Sequence, residues 1–256
     1  MAITPKIAAV SYLNTIPFIY GIEHEGNFSA DLLLLNPAEC AAAFASGAVD
    51  IALVPAATVP SLPLAEVVGE YCIGASGEVR TVVVVSDDPI EKVKRIFVDT
   101  HSRTSVQLAG YLAKNRWKID PEWFELEDIA QLSAAEDGDA FLLIGDKVFE
   151  HEDEFDYTYD LAREWMASTK LPFAFAVWVA RKGTSYEVLD ALEQALEFGV
   201  EHLYEAILKY RGEESTVESY QYLSENIDFL FDAQKRKALK KFWDSGVKIE
   251  PKSNPG

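Results

Sequence analysis

Polar residues with the potential to bind a ligand occur early in the chain, where Ser11, Asn14 and Thr15 follow an apolar run that ends at Val10. The stretch predicts a buried strand that breaks into a polar turn. Pro17 then suits the first position of a helix, because no backbone N–H is needed there. The N–H groups at a helix start lack partners within the helix, so such a turn can hold an anion. Taken alone, the stretch favours an ordinary helix cap over a ligand site.

A second polar turn, residues 99–105, lies between a predicted strand and a predicted helix. Thr104 and Ser105 can combine their hydroxyls with helix-start amides to hold a carboxylate or phosphate, and Arg103 can add a second contact. Alone, the turn fits a polar cap with a surface arginine equally well, but two such turns favour a ligand with two acidic ends. Histidine titrates near neutrality, which makes His101 a candidate general base; without geometry, an exposed loop histidine is the simpler interpretation.

Two further charged residues stand at the ends of predicted strands. Arg80 opens one strand, and it either points into a ligand cleft or is the solvated start of that strand. Asp146 follows Gly145 at the end of a buried strand, and it either caps a helix or hydrogen-bonds a substrate hydroxyl. The histidines have no metal-ligand spacing with one another or with the cysteines, so the sequence predicts no metal site. Motifs of phosphate loops, dinucleotide folds and serine hydrolases are also missing from the sequence.

The composition is that of a globular protein with a strong acidic excess. Of 256 residues, 49% are hydrophobic and 25% are charged, and 23 Lys plus Arg against 42 Asp plus Glu give a net charge of −19. Nucleic acid and anionic membrane are therefore poor partners, and an anionic ligand must be held by donors at contact distance. The first residues contain no export signal and no run spans a membrane, so we expect a cytoplasmic protein with Cys40 and Cys72 as buried free thiols.

The elements that must position the two turns alternate between strands and helices. Strands are predicted at 6–10, 32–35 and 50–55 with helices between them, a succession typical of a parallel sheet with right-handed crossovers. The Asn36-Pro37-Ala38-Glu39 segment predicts the capped start of the second helix, which Gly47 should end. The pattern begins again further on with a strand at 95–98, a helix at about 104–115 and a strand at 141–144. A long apolar strand, 173–180, precedes two long amphipathic helical regions, at about 185–210 and 216–242.

This order of elements predicts an α/β protein with a two-lobed periplasmic-binding-protein-like (type II) fold. Such a fold has two mixed or parallel sheets flanked by helices and joined by two hinge strands, here residues 79–86 and 173–180. Residues 1–84 plus 175–256 form the first lobe, residues 85–174 form the second, and a ligand binds in a cleft between them. A single doubly wound domain is the alternative, but it leaves the late strand unexplained.

Five stretches resemble, in order, the signatures of the chorismate dehydratases of the futalosine route of menaquinone biosynthesis. They are SYLNTIP (11–17) with YG (20–21), DIALVP (50–55), Asp99 with SRTS (102–105), LLIGD (142–146) and LPFAFAVW (171–178). The similarity runs from about residue 7 to residue 180, and the C-terminal helices add little to it. Any one stretch is a weak signal, whereas five in register are specific.

The resemblance implies a cofactor-independent hydro-lyase that converts chorismate, a small dianionic substrate, to 3-(1-carboxyvinyloxy)benzoate and water. The residues implied in substrate binding are Ser11, Asn14, Arg80, Thr81, Thr104, Ser105 and Gly145. Asn14 is implied in catalysis as well, and Asp146 or a bound water helps the ring hydroxyl to leave. The base stays open between a side chain such as His101, a water molecule and the substrate's own enolpyruvyl carboxylate folded over the ring.

Two other functions fit the same pattern. The 1,4-dihydroxy-6-naphthoate synthases share the implied fold, but their N-terminal turn is usually Cys-Pro-Asn-like, and residues 11–17 depart from that turn. A non-catalytic solute-binding protein would normally carry an export signal, which the first residues do not show. The oligomeric state is not indicated by the sequence.

Overall fold

The computed structural model describes residues 4–99, 102–145 and 147–253. The chain divides into two compact units. Unit 1 contains the chain up to Gly74 together with Ala174–Arg236, and unit 2 contains Ala75–Phe173 together with the chain from Lys237 onward. The backbone therefore passes between the units at three points in the sequence.

The secondary structure follows the predicted alternation of strands and helices. The strands are β1 (Lys6–Val10), β2 (Asp31–Leu35), β3 (Ile51–Pro55), β4 (Ala65–Ala75), β5 (Val82–Ser86), β6 (Arg95–Val98), β7 (Glu122–Glu125), β8 (Asp139–Ile144), β9 (Tyr157–Asp160), β10 (Phe173–Arg181) and β11 (Asp228–Leu230). The helices are α1 (Ile16–His24), α2 (Pro37–Ser46), α3 (Arg103–Leu112), α4 (Lys147–His151), α5 (Leu161–Thr169), α6 (Tyr186–Glu201), α7 (Leu203–Arg211), α8 (Thr216–Glu225) and α9 (Ala233–Asp244). Within the described ranges, each helix is too short or too polar to cross a membrane.

Unit 1 is built around a six-stranded mixed sheet with the order β11-β4-β10-β3-β1-β2. β1 runs parallel to both β2 and β3, and β10 runs antiparallel to β3. All of β3, and β1 after Lys6, are buried, as expected for parallel strands covered on both faces. The predicted βαβαβ succession is therefore confirmed.

The start and end of α2 also match the prediction. The Asn36 side chain accepts the Glu39 N–H while the Glu39 carboxylate accepts the Asn36 N–H, which forms a capping box. Pro37 occupies the first turn, and Gly47 ends the helix in the left-handed region at φ 85°. These local bonds fix the connection between β2 and α2. β2 is the first strand after the polar turn and α1.

Two glycines allow α1 and α6 to pack backbone against backbone. A Cβ on Gly21 would lie 1.8 Å from the Ala195 carbonyl oxygen, and a Cβ on Gly199 would lie 1.8 Å from the Pro17 carbonyl oxygen. Gly199 therefore faces the helical hydrogen bond between the Gly21 N–H and the Pro17 carbonyl on α1. Gly21 in turn faces the bond between the Gly199 N–H and the Ala195 carbonyl on α6. The first turn of α1 is held against α6 by this contact.

Unit 2 contains a five-stranded mixed sheet with the order β7-β6-β8-β5-β9. β6 is parallel to β7 and β8, whereas β5 is antiparallel to β8 and β9. Buried apolar side chains on this sheet form one core cluster, among them Val83, Phe97, Phe141 and Leu143. The predicted class of two mixed sheets flanked by helices is confirmed.

The end of the chain packs into unit 2 rather than into the predicted first lobe. Phe242 of α9 contacts the rings of Trp165 and Phe173 edge to face. Ile249 exchanges two backbone hydrogen bonds with the Gln107 side chain on α3. The C-terminal residues therefore pack an aromatic ring against Trp165 and Phe173 and bond their own backbone to a side chain on α3.

The first predicted crossing also lies elsewhere in the sequence. The prediction divided the chain after residue 84 and used residues 79–86 as a hinge strand, whereas the units divide after Gly74. β5 belongs wholly to the sheet of unit 2, because both of its edges are paired there, with β8 and with β9. The return passage, predicted after residue 174, falls after Phe173 within β10.

The two long helices predicted near the C-terminus are both interrupted. The first divides into α6 and α7 at His202, whose φ of −105° and ψ of 38° are not helical. The second divides into α8 and α9, because Asp228–Leu230 forms β11 on the edge of the unit 1 sheet beside β4. In the first region the apolar spacing of three and four residues continues through the interruption. Around β11, by contrast, Ile227, Phe229 and Phe231 are buried and Leu230 is exposed, which is the period of two of a strand.

Candidate functional site

The first polar turn leaves β1 at the edge of the unit 1 sheet where the parallel strands end. The Ser11 N–H donates to the Leu35 carbonyl at 3.1 Å, and the Thr15 N–H donates to the Tyr12 carbonyl at 3.0 Å. A 3-10 turn over Leu13–Thr15 then leads directly into α1. The turn is therefore anchored at both ends by backbone bonds.

The side chains of this turn differ in their exposure. Ser11 is exposed, Asn14 is half-buried and Thr15 is buried. The Thr15 hydroxyl donates to Asn14 Oδ1 at 3.3 Å. The other end of the same amide, the Nδ2 group, is a hydrogen-bond donor. Ser11 and Asn14 thus give the turn two accessible polar groups that suit an anion.

The second polar turn leads into α3 in unit 2. Thr104 and Ser105 are each only 2% exposed, although the sequence predicted both as ligand-binding hydroxyls. The Ser102 hydroxyl donates to the Ser105 hydroxyl at 2.8 Å, and Arg103 is exposed. The accessible side chains at this helix start are therefore Ser102 and Arg103, with the two predicted hydroxyls beneath them.

Three loops meet at this edge of the unit 2 sheet. The Gly145 N–H donates to the Thr81 carbonyl at 2.8 Å, which joins the end of β8 to the start of β5. Lys147 Nζ lies 3.2 Å from a carboxylate oxygen of Asp99, which joins the loop after β8 to the loop after β6. The structure thus brings Thr81 and Gly145 together with the loop that precedes α3. Lys147 was not among the predicted residues, because nothing in the sequence pairs it with Asp99.

Gly145 has a conformational reason to be glycine. Its φ of 70° lies in the left-handed region, and a Cβ there would meet nothing within 4 Å. Backbone conformation, not space, therefore selects glycine at the end of β8.

Arg80 is engaged in contacts on both its main chain and its side chain. Its N–H donates to Asp160 Oδ2 at 2.8 Å, and its guanidinium lies 2.8 Å from a carboxylate oxygen of Glu152 and 5.5 Å above the Phe149 ring. The arginine side chain is 47% exposed, so the ion pair with Glu152 is weak and open to exchange with another anion. Burial raises the pKa of Asp160, while backbone N–H bonds from Arg163, Arg80 and Val79 act in the opposite direction.

Two predicted catalytic residues, His101 and Asp146, lie outside the described residues, and their roles stay predictions. Among the residues that the structure does describe, no cluster of histidine, cysteine or acidic side chains has the makings of a metal site. Both cysteines are free and buried. The side chains at the two turns include hydroxyl, amide and cationic donors, which suit an anionic ligand.

The family comparison matches nearly the whole chain. A family model described as menaquinone biosynthesis matches residues 5–248. This range includes both polar turns and extends well beyond residue 180, where the similarity found in the sequence ended.

Solved structures of low sequence identity share the fold. Protein AF1704 from Archaeoglobus fulgidus has a TM-score of 0.73 and 18% identity, over 94% of this chain and 96% of that chain. The CA3427 gene product of Candida albicans, described as having the generic periplasmic binding protein fold, has a TM-score of 0.63 and 15% identity, over 99% of both chains. The alkanesulfonate-binding protein SsuA from Xanthomonas axonopodis pv. citri, bound to MOPS, has a TM-score of 0.56 and 15% identity, over 95% of this chain and 93% of that chain. The predicted periplasmic-binding-protein-like fold is therefore confirmed.

Proposed function

The chain belongs to the menaquinone biosynthesis family, and we propose that within it the protein dehydrates chorismate to 3-(1-carboxyvinyloxy)benzoate. The observation that carries the proposal is that the family match, residues 5–248, includes both polar turns. The order of the five signature stretches, from residue 11 to residue 178, supports the dehydratase within that family.

The chemistry of chorismate suits the donors at the two turns. Chorismate carries two carboxylates and a ring hydroxyl, and each unit supplies one polar turn followed by a helix. Ser11 and Asn14 hold one carboxylate. The start of α3 holds the other through its backbone N–H groups and Ser102, with Thr104 and Ser105 beneath. Because the protein's net charge is −19, these contacts must act at short range, where distant carboxylates are screened.

Thr81, Arg80 and Gly145 complete the proposed site on unit 2. Arg80 can exchange its exposed contact with Glu152 for a substrate carboxylate. Arg103 adds an exposed positive charge at the same edge, whereas the charge of Lys147 is balanced by Asp99. Arg103, together with Arg80 once it leaves Glu152, offsets the carboxylates of the substrate, which the protein as a whole would repel.

The proposed reaction is an elimination that needs no external electron acceptor. The ring carbon that bears the ether loses its proton, the neighbouring carbon loses its hydroxyl, and the two fragments leave as water. Formation of the aromatic ring provides the driving force, so the protein has to supply orientation, exclusion of water and a path for the proton. Asp146 or a bound water assists the hydroxyl, and either His101 or the substrate's own enolpyruvyl carboxylate takes the proton.

Two alternatives have specific support. The 1,4-dihydroxy-6-naphthoate synthase reaction belongs to the same biosynthesis, which the family description covers. A solute-binding role is favoured by the likeness to SsuA, a protein described as binding an alkanesulfonate. We place the protein in the cytoplasm because a biosynthetic enzyme meets its soluble substrate there, and we propose a small dianion as its ligand.

One set of incubations separates the three functions. The purified protein is mixed with chorismate, and the loss of chorismate absorbance is followed together with chromatographic appearance of 3-(1-carboxyvinyloxy)benzoate. Cyclic dehypoxanthine futalosine is tested in parallel, and calorimetry measures binding of each compound. Product from chorismate supports the dehydratase. Consumption of the futalosine compound alone supports the synthase, and binding of chorismate without turnover supports the solute-binding role.

A further inference from the structure

Asp160 bonds to two different parts of unit 2 with its two carboxylate oxygens. It is the last residue of β9 and is 9% exposed. Oδ1 accepts the N–H groups of Ala162 and Arg163, each at 3.0 Å, and so caps the start of α5. Oδ2 accepts the N–H of Arg80, a residue far away in the sequence, at 2.8 Å. A helix cap needs only the first of these contacts.

The backbone conformation of Arg80, which Oδ2 of Asp160 holds in place, is unfavourable for arginine. Arg80 has a φ of 65°, in the left-handed region that residues with a Cβ seldom adopt. Such a conformation persists only where the surroundings hold it in place. The buried carboxylate supplies that restraint at the Arg80 N–H.

The restrained turn leads directly to residues of the proposed substrate site. Thr81 comes next, and its carbonyl accepts the Gly145 N–H at 2.8 Å. Val82 then pairs with Ile144 where β5 meets β8. A shift of the Arg80 backbone would therefore move Thr81 and loosen the bond that orients Gly145.

We propose that Asp160 is a positioning residue of the substrate site, acting through the Arg80 turn to hold Thr81 and Gly145 for chorismate. The residue touches no substrate in this role, and the role rests on the proposed dehydratase function. If Asp160 were only a helix cap, any side chain able to cap α5 would replace it without loss. Serine is such a side chain, because its single oxygen can cap the helix but cannot also reach Arg80.

The test compares Asp160→Ser with Asp128→Ser in the full-length protein. Asp128 is the matched control because it caps another helical turn of unit 2, accepting the Ala130 N–H at 2.9 Å. Amide hydrogen exchange is measured by NMR. In Asp160→Ser we expect exchange of the Arg80 amide to rise at least about tenfold, with the Arg163 amide changing less than about threefold. Asp128→Ser should leave the Arg80 amide unchanged.

Steady-state kinetics then connect the turn to the substrate. In Asp160→Ser the KM for chorismate should rise about tenfold with kcat within about threefold of wild type, since one lost hydrogen bond that only positions the substrate weakens binding about tenfold. An unchanged Arg80 amide, or a loosened Arg80 amide with a wild-type KM, overturns the proposal. Asp160→Thr, whose single hydroxyl can also cap α5 without reaching Arg80, is measured by the same criteria if the serine variant does not fold.

Failure of the proposed function would look different. If the wild-type protein does not convert chorismate, the dehydratase assignment falls, and with it the assignment of Asp160 to a chorismate site. If the wild-type protein converts chorismate and Asp160→Ser does so with an unaltered KM, the dehydratase stands and the positioning role falls.

Discussion

Replacing Gly199 with alanine should destabilise unit 1 by separating α1 from α6. The new Cβ would lie 1.8 Å from the Pro17 carbonyl oxygen, 2.8 Å from the Pro17 carbonyl carbon and 2.9 Å from the Gly21 nitrogen. An ordinary contact begins at 3.4 Å, so the helices must move apart by about 1.6 Å. All three atoms belong to backbone, and no side-chain rotation can relieve the clash.

The net cost follows from two opposing effects. Overpacking of a well-packed site typically costs roughly 1–3 kcal/mol, and a backbone clash belongs at or above the upper end of that range. Alanine within a helix is favoured over glycine by about 1 kcal/mol. We therefore expect a loss of about 2 kcal/mol in the free energy of unfolding, which lowers Tm by roughly 4–8 °C in a protein of this size.

The assay is urea unfolding followed by circular dichroism, with Gly26→Ala as the matched control. Gly26 has open space around its Cβ position, and its φ is not in the left-handed region. Its substitution should change the free energy of unfolding by less than about 0.5 kcal/mol. A Gly199→Ala protein as stable as the Gly26→Ala protein would refute the reasoning, as would a crystal structure of that variant with the two helices at unchanged spacing.

Three other predictions concern the proposed site, pH dependence and the cysteines. Asn14→Asp should lower kcat/KM for chorismate by at least about 100-fold, because it sets a carboxylate against a substrate carboxylate. The control, Asn27→Asp on the exposed surface, should leave kcat/KM within about twofold. Near-normal turnover of Asn14→Asp would remove Asn14 from the site. Burial raises the pKa of Glu193 above its ordinary value of 4.5, so its contribution to stability is complete below the unfolded pKa and is lost as pH rises through the folded pKa. Glu193→Gln should therefore flatten the fall in stability as pH rises above 4.5, and an unchanged slope would contradict the shift. Burial raises the pKa of Cys40 to about 12 and also raises the pKa of Cys72. Neither thiol of the folded protein should therefore react with a disulfide reagent at pH 8, whereas both should react in urea. Rapid labelling of the native protein would contradict this prediction.

The predictions that held were those with a local physical cause. The capping box and closing glycine of α2 depend on contacts within a few residues, and the structure contains them as predicted. The apolar runs of β1 and β3 are buried because parallel strands are covered on both faces. Local sequence therefore predicted the alternation of strands and helices and the position of both polar turns.

The features that the sequence did not predict depend on contacts between distant residues. Gly21 and Gly199 are far apart in the chain, and neither has a local pattern that marks it as a packing contact. Asp160 caps α5, but nothing near it in the sequence shows that its Oδ2 also holds Arg80. β11 is only three residues long, so the alternation of Ile227, Phe229 and Phe231 is too short to stand out between two helical patterns.

The exposure of the predicted site residues also depends on contacts between distant residues. Ser11 and Asn14 were proposed because they stand between an apolar strand and a proline-started helix. Thr104 and Ser105 were proposed because they stand between a predicted strand and a predicted helix, but their depth below the surface depends on what packs over α3. The sequence could not show that Ser102 is the more accessible hydroxyl.

The central claim, dehydration of chorismate, is tested most directly by proton NMR of chorismate incubated with the wild-type protein. We predict that aromatic ring signals replace the cyclohexadiene signals and that both vinyl protons of the enolpyruvyl group are retained, with one molecule of 3-(1-carboxyvinyloxy)benzoate formed for each chorismate consumed. Unchanged chorismate, or release of pyruvate with 4-hydroxybenzoate, would contradict it.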